Sequence, residues 1–190
     1  MTRKLFAAVV LSFLTVSALY AQKPVICAVT DIEDDPTNGL EMCRSLFTEY
    51  YLAELMTHSK VNVLDTKSVQ TALGTLKLER GRKMTAKQFE QLCAQLKCGA
   101  LCLVGMKREK DGKMLAEVRI VDKNGKTLGS VSALMNGVGD TDSVSARLAR
   151  SSAVIIRKAN GSLLSGDSDL GEEFIYKKLP NTVKSTYGKE

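Results

Sequence analysis

Residues 100–135, with the sequence ALCLVGMKREKDGKMLAEVRIVDKNGKTLGSVSALM, decide the fold. The stretch opens with a nearly unbroken apolar run, which predicts a buried strand. Two polar segments follow, one containing Asp-Gly and the other Asn-Gly, which are the preferred dipeptides of tight hairpin turns. Between them Ala116, Val118 and Ile120 alternate with charged residues, as in a half-buried strand. The stretch therefore predicts three antiparallel strands.

Two further strands and three helices are predicted before this stretch. Residues 24–30 are apolar and rich in β-branched side chains, which is typical of a buried strand, and residues 61–64 resemble them. Helices are expected over about 38–58, 65–78 and 85–99, because apolar residues recur there at helical spacing.

Local signals predict where these elements begin and end. Asn38 and Thr85 each precede a Glu or Gln by three residues, the spacing of a capping box, and Asp65 is a third candidate N-cap. Gly99 is expected to end the helix before the hairpins. Gly105 closes the buried strand, so a β-branched side chain there is expected to lack room.

A last helix is predicted from about Asp140, because Val144, Leu148 and Ile155 share one face, and it should end near 160–162. The element order is therefore β-α-β-α-α-β-β-β-α. This order predicts an α/β (α+β) fold with a mixed sheet of about five strands and helices packed on it.

The domain organisation follows from the two termini. Residues 1–21 combine Arg3 and Lys4, a short apolar run and a final Ala21, which is the pattern of a secretory signal peptide. One domain is expected over 22–162, and the polar residues 163–190 are expected to form a flexible tail. The chain should therefore be exported to the periplasm or the periphery of an outer membrane.

An amino-terminal lipid anchor is not expected. Cys27 follows Pro24-Val-Ile and lies beyond the polar Gln22, whereas a lipobox places a small residue directly before its cysteine. The mature chain is expected to begin near Gln22 without acylation.

The cysteine count is odd, which in an exported chain leaves at least one thiol free or paired between chains. Cys27 and Cys102 lie in apolar runs and are expected to fill the core. Cys93 and Cys98 flank a helix end and are the best-placed local pair. The disulfide pattern of all five, including Cys43, stays open at this point.

A family resemblance rests on the second half of the chain. The segments Leu96-Lys-Cys-Gly-Ala100, Leu103-Val-Gly105, 115–122 and 124–128 together resemble a recurring envelope pattern. In that pattern a helix ends at Leu-Gly, a buried strand ends in Val-Gly, and a Val-Asp strand turns through Gly-Lys. Residues 28–31 and 61–65 are similar to the same group.

The group comprises the amino-terminal domain of TolB, the CsgG-like curli-secretion proteins and the LpoB-like activators of penicillin-binding proteins. The resemblance covers about residues 25–157 and implies a non-enzymatic, protein-binding module of the cell envelope. CsgG-like and LpoB-like members are normally lipid-anchored, and TolB carries a following β-propeller. This chain departs from both patterns.

No catalytic residue, cofactor or metal is predicted. His58 is the single histidine and lies at a helix end, and Ser-x-x-Lys is absent, so nucleophilic catalysis has no obvious machinery. The spacing of Cys93, Cys98 and Cys102 lacks the Cys-x-x-Cys pairs of a zinc site. An acidic loop is expected over residues 31–38, and it has Pro36 where an EF-hand needs its turn glycine, so calcium is not favoured.

Protein partners in the envelope are expected instead. The formal net charge is +6, and aromatic residues make up only 5% of the chain, so stacking recognition of nucleic acid has no platform. Charge reversal in the acidic loop is expected to weaken partner capture without unfolding the domain. The candidate interaction surface combines an acidic loop, a basic loop and an apolar island of the tail: Asp31, Glu33, Asp34, Asp35, Arg80, Arg82, Lys83, Phe174 and Tyr176.

Four alternatives accompany this hypothesis of an accessory or regulatory interaction protein. One is an activator of a cell-wall synthase, and another is a component of an outer-membrane secretion assembly. A thiol-based envelope enzyme and a module that binds an anionic polymer or a small ligand are the others. Peripheral contact with a membrane or with cell wall would suit the two basic segments near residues 80 and 110.

Overall fold

A computed structural model describes residues 24–159 of the chain. The predicted signal peptide, 1–21, and tail, 163–190, lie outside the described residues. The strands are β1 Val25–Thr30, β2 Val61–Val63, β3 Ala100–Arg108, β4 Met114–Asp122 and β5 Thr127–Met135. The helices are α1 Glu41–Met56, α2 Thr66–Thr75, α3 Ala86–Leu96 and α4 Thr141–Ala159, and a short 3-10 turn over Val138–Asp140 precedes α4.

The predicted mixed five-stranded sheet with helices packed on it is confirmed. Its strand order is β2-β1-β3-β4-β5, with β1 parallel to both of its neighbours. The three strands β3, β4 and β5 form an antiparallel meander through two hairpins. Both turns contain a glycine at positive φ, Gly112 at 83° and Gly125 at 80°, as the Asp-Gly and Asn-Gly dipeptides predicted.

Helices cover the two faces of the sheet unequally. On one face α1 and α4 pack along the sheet, and the alternate residues of β3, β4 and β5 are buried beneath them. On the other face α2 and α3 cover β1 and β3, and Val121 is the only β4 residue in their apolar cluster. The second face of β4 and β5 therefore carries no helix among residues 24–159, which leaves half of the sheet open on that side.

None of the helices within residues 24–159 combines the length and hydropathy needed to cross a bilayer.

The predicted caps are confirmed for two helices and wrong for a third. Asp65 accepts a hydrogen bond from the backbone of Ser68, and Thr85 forms a complete capping box with Gln88. The N-cap of α1 is instead Leu40, without a side-chain bond. The Asn38 amide is used elsewhere, since it accepts from the Leu40 N–H and donates to the Met106 carbonyl at 2.8 Å.

Lys97, and not Gly99, ends α3 in the left-handed conformation, with φ of 52°. The Lys97 N–H donates to Ala94 O and the Cys98 N–H to Cys93 O, which together form a Schellman motif. Gly99 is already part of the entry to the sheet, because its N–H donates to Ile26 O at 2.8 Å. The prediction that Gly99 ends the helix was therefore wrong by two residues.

Candidate functional site

The acidic loop between β1 and α1 is organised around a buried arginine. Arg44 lies on the inner side of α1 with its side chain 3% exposed. Its Nε donates to Asp31 Oδ2 at 3.0 Å, and its Nη1 forms a short hydrogen bond to Asp34 Oδ2. A buried guanidinium needs such partners, because an unpaired charge away from water costs several kcal/mol.

The remaining oxygens of the loop connect it to other elements. Asp34 Oδ1 accepts a hydrogen bond from the Met106 N–H of β3 at 3.1 Å. Glu33 Oε1 accepts from the Met84 N–H at 2.7 Å, and Glu33 Oε2 forms a short ion pair with Arg119 of β4. The loop is therefore tied at once to two strands and to the segment between α2 and α3.

Asp35 differs from these residues because its carboxylate stays within the loop. Its Oδ1 accepts from the Thr37 N–H at 2.8 Å and from the Thr37 hydroxyl at 2.7 Å. These two hydrogen bonds hold the pKa of Asp35 below its usual value.

The structure brings together part of the predicted basic surface. Arg80 extends from the segment after α2 and pairs with Asp31 Oδ2 at 2.5 Å. Arg82 pairs with Glu79 at 2.7 Å, and both side chains are exposed. Lys83 borders a groove beside the acidic loop. Phe174 and Tyr176 lie outside the described residues.

This groove, of about 570 Å³, runs from the acidic loop to the open half of the sheet. Apolar side chains and two glycines form part of its surface, and charged residues stand around them. Its lining comprises Glu33, Asp34, Lys83, Met84, Ala86, Phe89, Leu103, Val104, Gly105, Glu117, Arg119 and Gly125.

Gly105 lies on the groove rather than in a packed interior. A Cβ atom at Gly105 would meet only Asp34 Oδ1, at 3.6 Å, which is an ordinary contact. The expectation that a side chain at Gly105 lacks room was therefore wrong at the level of Cβ, because this face of β3 is uncovered there. Of the two glycines that line the groove, the crowded one is Gly125, whose Cβ would lie 2.6 Å from the Phe89 ring.

The expectation that charge reversal in the acidic loop would spare the fold also needs correction. Asp31, Glu33 and Asp34 each hold an arginine or a backbone N–H of another element. Reversing these three charges would remove both carboxylate partners of the buried Arg44, which would keep only its hydrogen bond to the Asp35 carbonyl, and the domain would be destabilised. Only Asp35, whose hydrogen bonds are local, could be reversed at small cost.

Sequence reasoning missed the two arginines that organise the loop. Arg44 stands at helical spacing among Leu40, Phe47 and Tyr51, which are all buried. A charged residue on the apolar stripe of a helix, just after an acidic loop, was the signal that could have revealed this ion pair. Arg119 carried a weaker signal, since it lies on the polar side of an alternating strand.

The cysteines and the histidine do not line the groove. Cys27, Cys93, Cys98 and Cys102 are buried, Cys43 is half-buried, and all five are free thiols. His58 follows α1 and is half-buried, and this burial holds its pKa below the usual value. Among residues 24–159 no cluster of three or more His, Cys, Asp or Glu side chains has the arrangement to hold a metal ion.

Comparison with known proteins gives likenesses to solved structures alone. No protein-family model matches the chain, and no curated protein matches it. The LpoB C-terminal domain from Escherichia coli is 11% identical with a TM-score of 0.47, covering 65% of this chain and 93% of that one.

Two other solved structures are also similar. Lipoprotein GNA1162 from Neisseria meningitidis is 21% identical with a TM-score of 0.42, covering 74% of this chain and 100% of that one. The hypothetical protein CT253 from Chlamydia trachomatis is 13% identical with a TM-score of 0.40, covering 73% and 97%. LpoB, one of the three members of the predicted resemblance, is among the similar structures, and membership of the LpoB, TolB or CsgG groups stays a prediction.

Proposed function

We propose that this chain is a non-catalytic interaction module of the cell envelope and that the groove beside the acidic loop receives an extended segment of a partner protein. The observation that carries the proposal is the groove itself. It lies where helices leave the sheet uncovered, and ion pairs between distant elements hold its walls.

The walls are preorganised, which favours binding. Glu33 connects the acidic loop to Arg119 on the sheet and to the Met84 N–H on the opposite wall. Asp34 is held by Arg44 and by the Met106 N–H. A partner that enters such a groove does not have to order these loops, so less of its interaction free energy is lost.

The side chains that line the groove are of the kinds that can bind a polypeptide. Phe89 and Leu103 are buried side chains that reach its surface, and Met84 is half-buried beside them. Lys83 and Glu117 are exposed at its border and offer one charge of each sign. Polar and charged groups make up more of the accessible groove surface than apolar groups do, so a partner segment would bind through hydrogen bonds and ion pairs as well as apolar contacts.

The described residues that line the groove include no Ser, Thr, Cys or His. Two of its three carboxylates, Glu33 and Asp34, already pair with arginines. This composition favours binding over nucleophilic or acid–base catalysis, and it supports a thiol-based enzyme less well because the cysteines lie elsewhere.

The envelope location rests on the signal-peptide pattern of residues 1–21. Two more specific roles are proposed within the envelope. The chain would either activate a cell-wall synthase or form part of an outer-membrane secretion assembly. The exposed Asp35 and Arg82 belong to the proposed interaction surface at its periphery. Phe174 and Tyr176, which lie outside the described residues, stay proposed members of the interaction surface.

A crosslinking experiment in intact cells tests the proposal. A photoreactive amino acid at Glu117 should capture a partner protein, and Gly105→Val, which fills the groove, should abolish that capture. Lys83→Glu should weaken capture by removing the positive charge at the border. Lys110→Glu is the matched control, because Lys110 lies exposed in the first hairpin turn, away from the groove.

Equal capture by the Gly105→Val and Lys110→Glu proteins, at equal abundance and melting temperature, would rule the groove out. A stably folded His58→Gln or Cys43→Ser protein that loses cellular function while still capturing its partner would favour chemistry over binding.

A further inference from the structure

Cys93 and Cys98 occupy the two positions of the α3 Schellman motif whose side chains meet. The Cys98 N–H donates to Cys93 O at 3.0 Å, across the left-handed turn at Lys97. In this motif the residues joined by that hydrogen bond commonly make an apolar contact. The two cysteines are 2% and 7% exposed, so Cys98 lies slightly nearer the surface.

The end of α2 shows the same motif without thiols. There the Leu78 N–H donates to Leu73 O at 3.1 Å, and Lys77 takes the left-handed conformation with φ of 51°. Two leucines make the contact at α2, whereas two cysteines make it at α3. Apolar filling therefore does not require cysteine at this position, and the α3 pair has chemistry that the α2 pair lacks.

The two α3 thiols are hydrogen-bonded to each other. Cys98 donates to Cys93, which lowers the pKa of Cys93 and raises the pKa of Cys98. The thiolate form, which is the nucleophile in exchange with disulfides, is therefore favoured at Cys93.

A second thiol pair lies deeper in the core. Cys27 and Cys102 also share a hydrogen bond, but both are 0% exposed. They stand diagonally on neighbouring parallel strands, since Cys27 is opposite Ala100 and Cys102 is opposite Val29. Cys43, on α1, belongs to neither pair.

We propose that Cys93 and Cys98 are a site of reversible disulfide formation by exchange with an external disulfide, such as oxidised glutathione or the active-site disulfide of an oxidoreductase. The Cys93 thiolate attacks one sulfur of the external disulfide, forms a mixed disulfide and releases one thiolate. The Cys98 sulfur, after losing its proton to water, attacks the Cys93 sulfur and releases the second. The protein loses two electrons and two protons, and the external disulfide is reduced to two thiols.

Tryptic mapping without reduction tests the proposal on the folded protein after incubation with oxidised glutathione. Cleavage after Lys87, Lys97 and Lys107 places Cys93 in peptide 88–97 and Cys98 with Cys102 in peptide 98–107. We expect these two peptides to be joined, Cys43 to stay reactive toward iodoacetamide, and reactivity at Cys93 to be lost.

Two variants assign the bond and keep the proposal falsifiable. The joined peptides should persist in Cys102→Ala and disappear in Cys98→Ala, with the melting temperature of each variant measured in reducing buffer. Persistence of the junction in Cys98→Ala, or its formation only in urea, would overturn the assignment. Full alkylation of both cysteines after oxidation of the wild-type protein would show that they serve as apolar filling alone.

Discussion

The guanidinium of Arg44 donates from Nε to Asp31 Oδ2 at 3.0 Å, from a side chain that is only 3% exposed. Asp31 also receives Arg80 from the segment after α2, so one carboxylate joins two arginines from different parts of the chain. This arrangement makes the acidic loop part of the folded structure, and its stability can be tested residue by residue.

Arg44→Met should lower the free energy of unfolding by about 3–5 kcal/mol, because it leaves Asp31 and Asp34 without their shared buried cation. Arg82→Met is the control, since the Arg82 side chain is 78% exposed and its pairing with Glu79 should contribute less than about 1 kcal/mol. Urea denaturation of both proteins measures the difference. Similar midpoints for the two variants would contradict the importance of the buried ion pair.

Lys97→Gly should stabilise the protein by about 0.5–1 kcal/mol. Lys97 holds φ of 52°, a conformation that costs an L-residue about 1 kcal/mol or more and that glycine adopts freely. Lys87→Gly, within the same helix, should instead cost about 1 kcal/mol. The melting temperatures of the two variants should shift in opposite directions. A loss of stability in both would argue against the left-handed conformation of Lys97.

The variants Gly125→Ala and Gly105→Ala should differ clearly in their free energy of unfolding. A methyl group at Gly125 would lie 2.6 Å from the Phe89 ring on a backbone with φ of 80°, and we expect a loss of about 1–3 kcal/mol. At Gly105 the methyl group meets only Asp34 Oδ1 at 3.6 Å, so the change should stay within about 0.5 kcal/mol. Denaturation midpoints measure both effects. A larger loss of stability in Gly105→Ala than in Gly125→Ala would contradict the position of Gly105 on the open groove.

His58 should make the protein less stable in mild acid. Burial is the main cause that lowers its pKa below the usual 6.5, so the unfolded chain binds a proton at His58 more readily than the folded chain does. Stability therefore falls as the pH drops through 6.5 toward the folded-state pKa, and it recovers as the pH rises.

The His58→Gln protein should lose less stability than the wild type between pH 7.5 and pH 5, as measured by urea unfolding at each pH. Identical pH dependence in the two proteins would show that His58 is as readily protonated in the folded state as in the unfolded one.

Local patterns were sufficient for the hairpins and for most helix starts. The Asp-Gly and Asn-Gly turns are specified by the residues within them, and Asp65 and Thr85 cap helices through bonds that span three residues. The five-stranded mixed sheet could be predicted because these signals agreed with the alternation in β4. Asn38 failed as a cap because a distant acceptor, Met106 O, holds its amide.

The candidate site was decided by tertiary structure. Glu33 and Arg119 are 86 positions apart, and their pairing depends on how β1 and β4 are placed around β3. Alternation along β4 assigns each residue to a face, but it does not say whether a helix covers that face. The sequence by itself determined the elements and the residues that point inward, because those depend on neighbours along the chain. The groove, the buried Arg44 and the open half of the sheet depend on packing between distant elements, so only the folded structure could establish them.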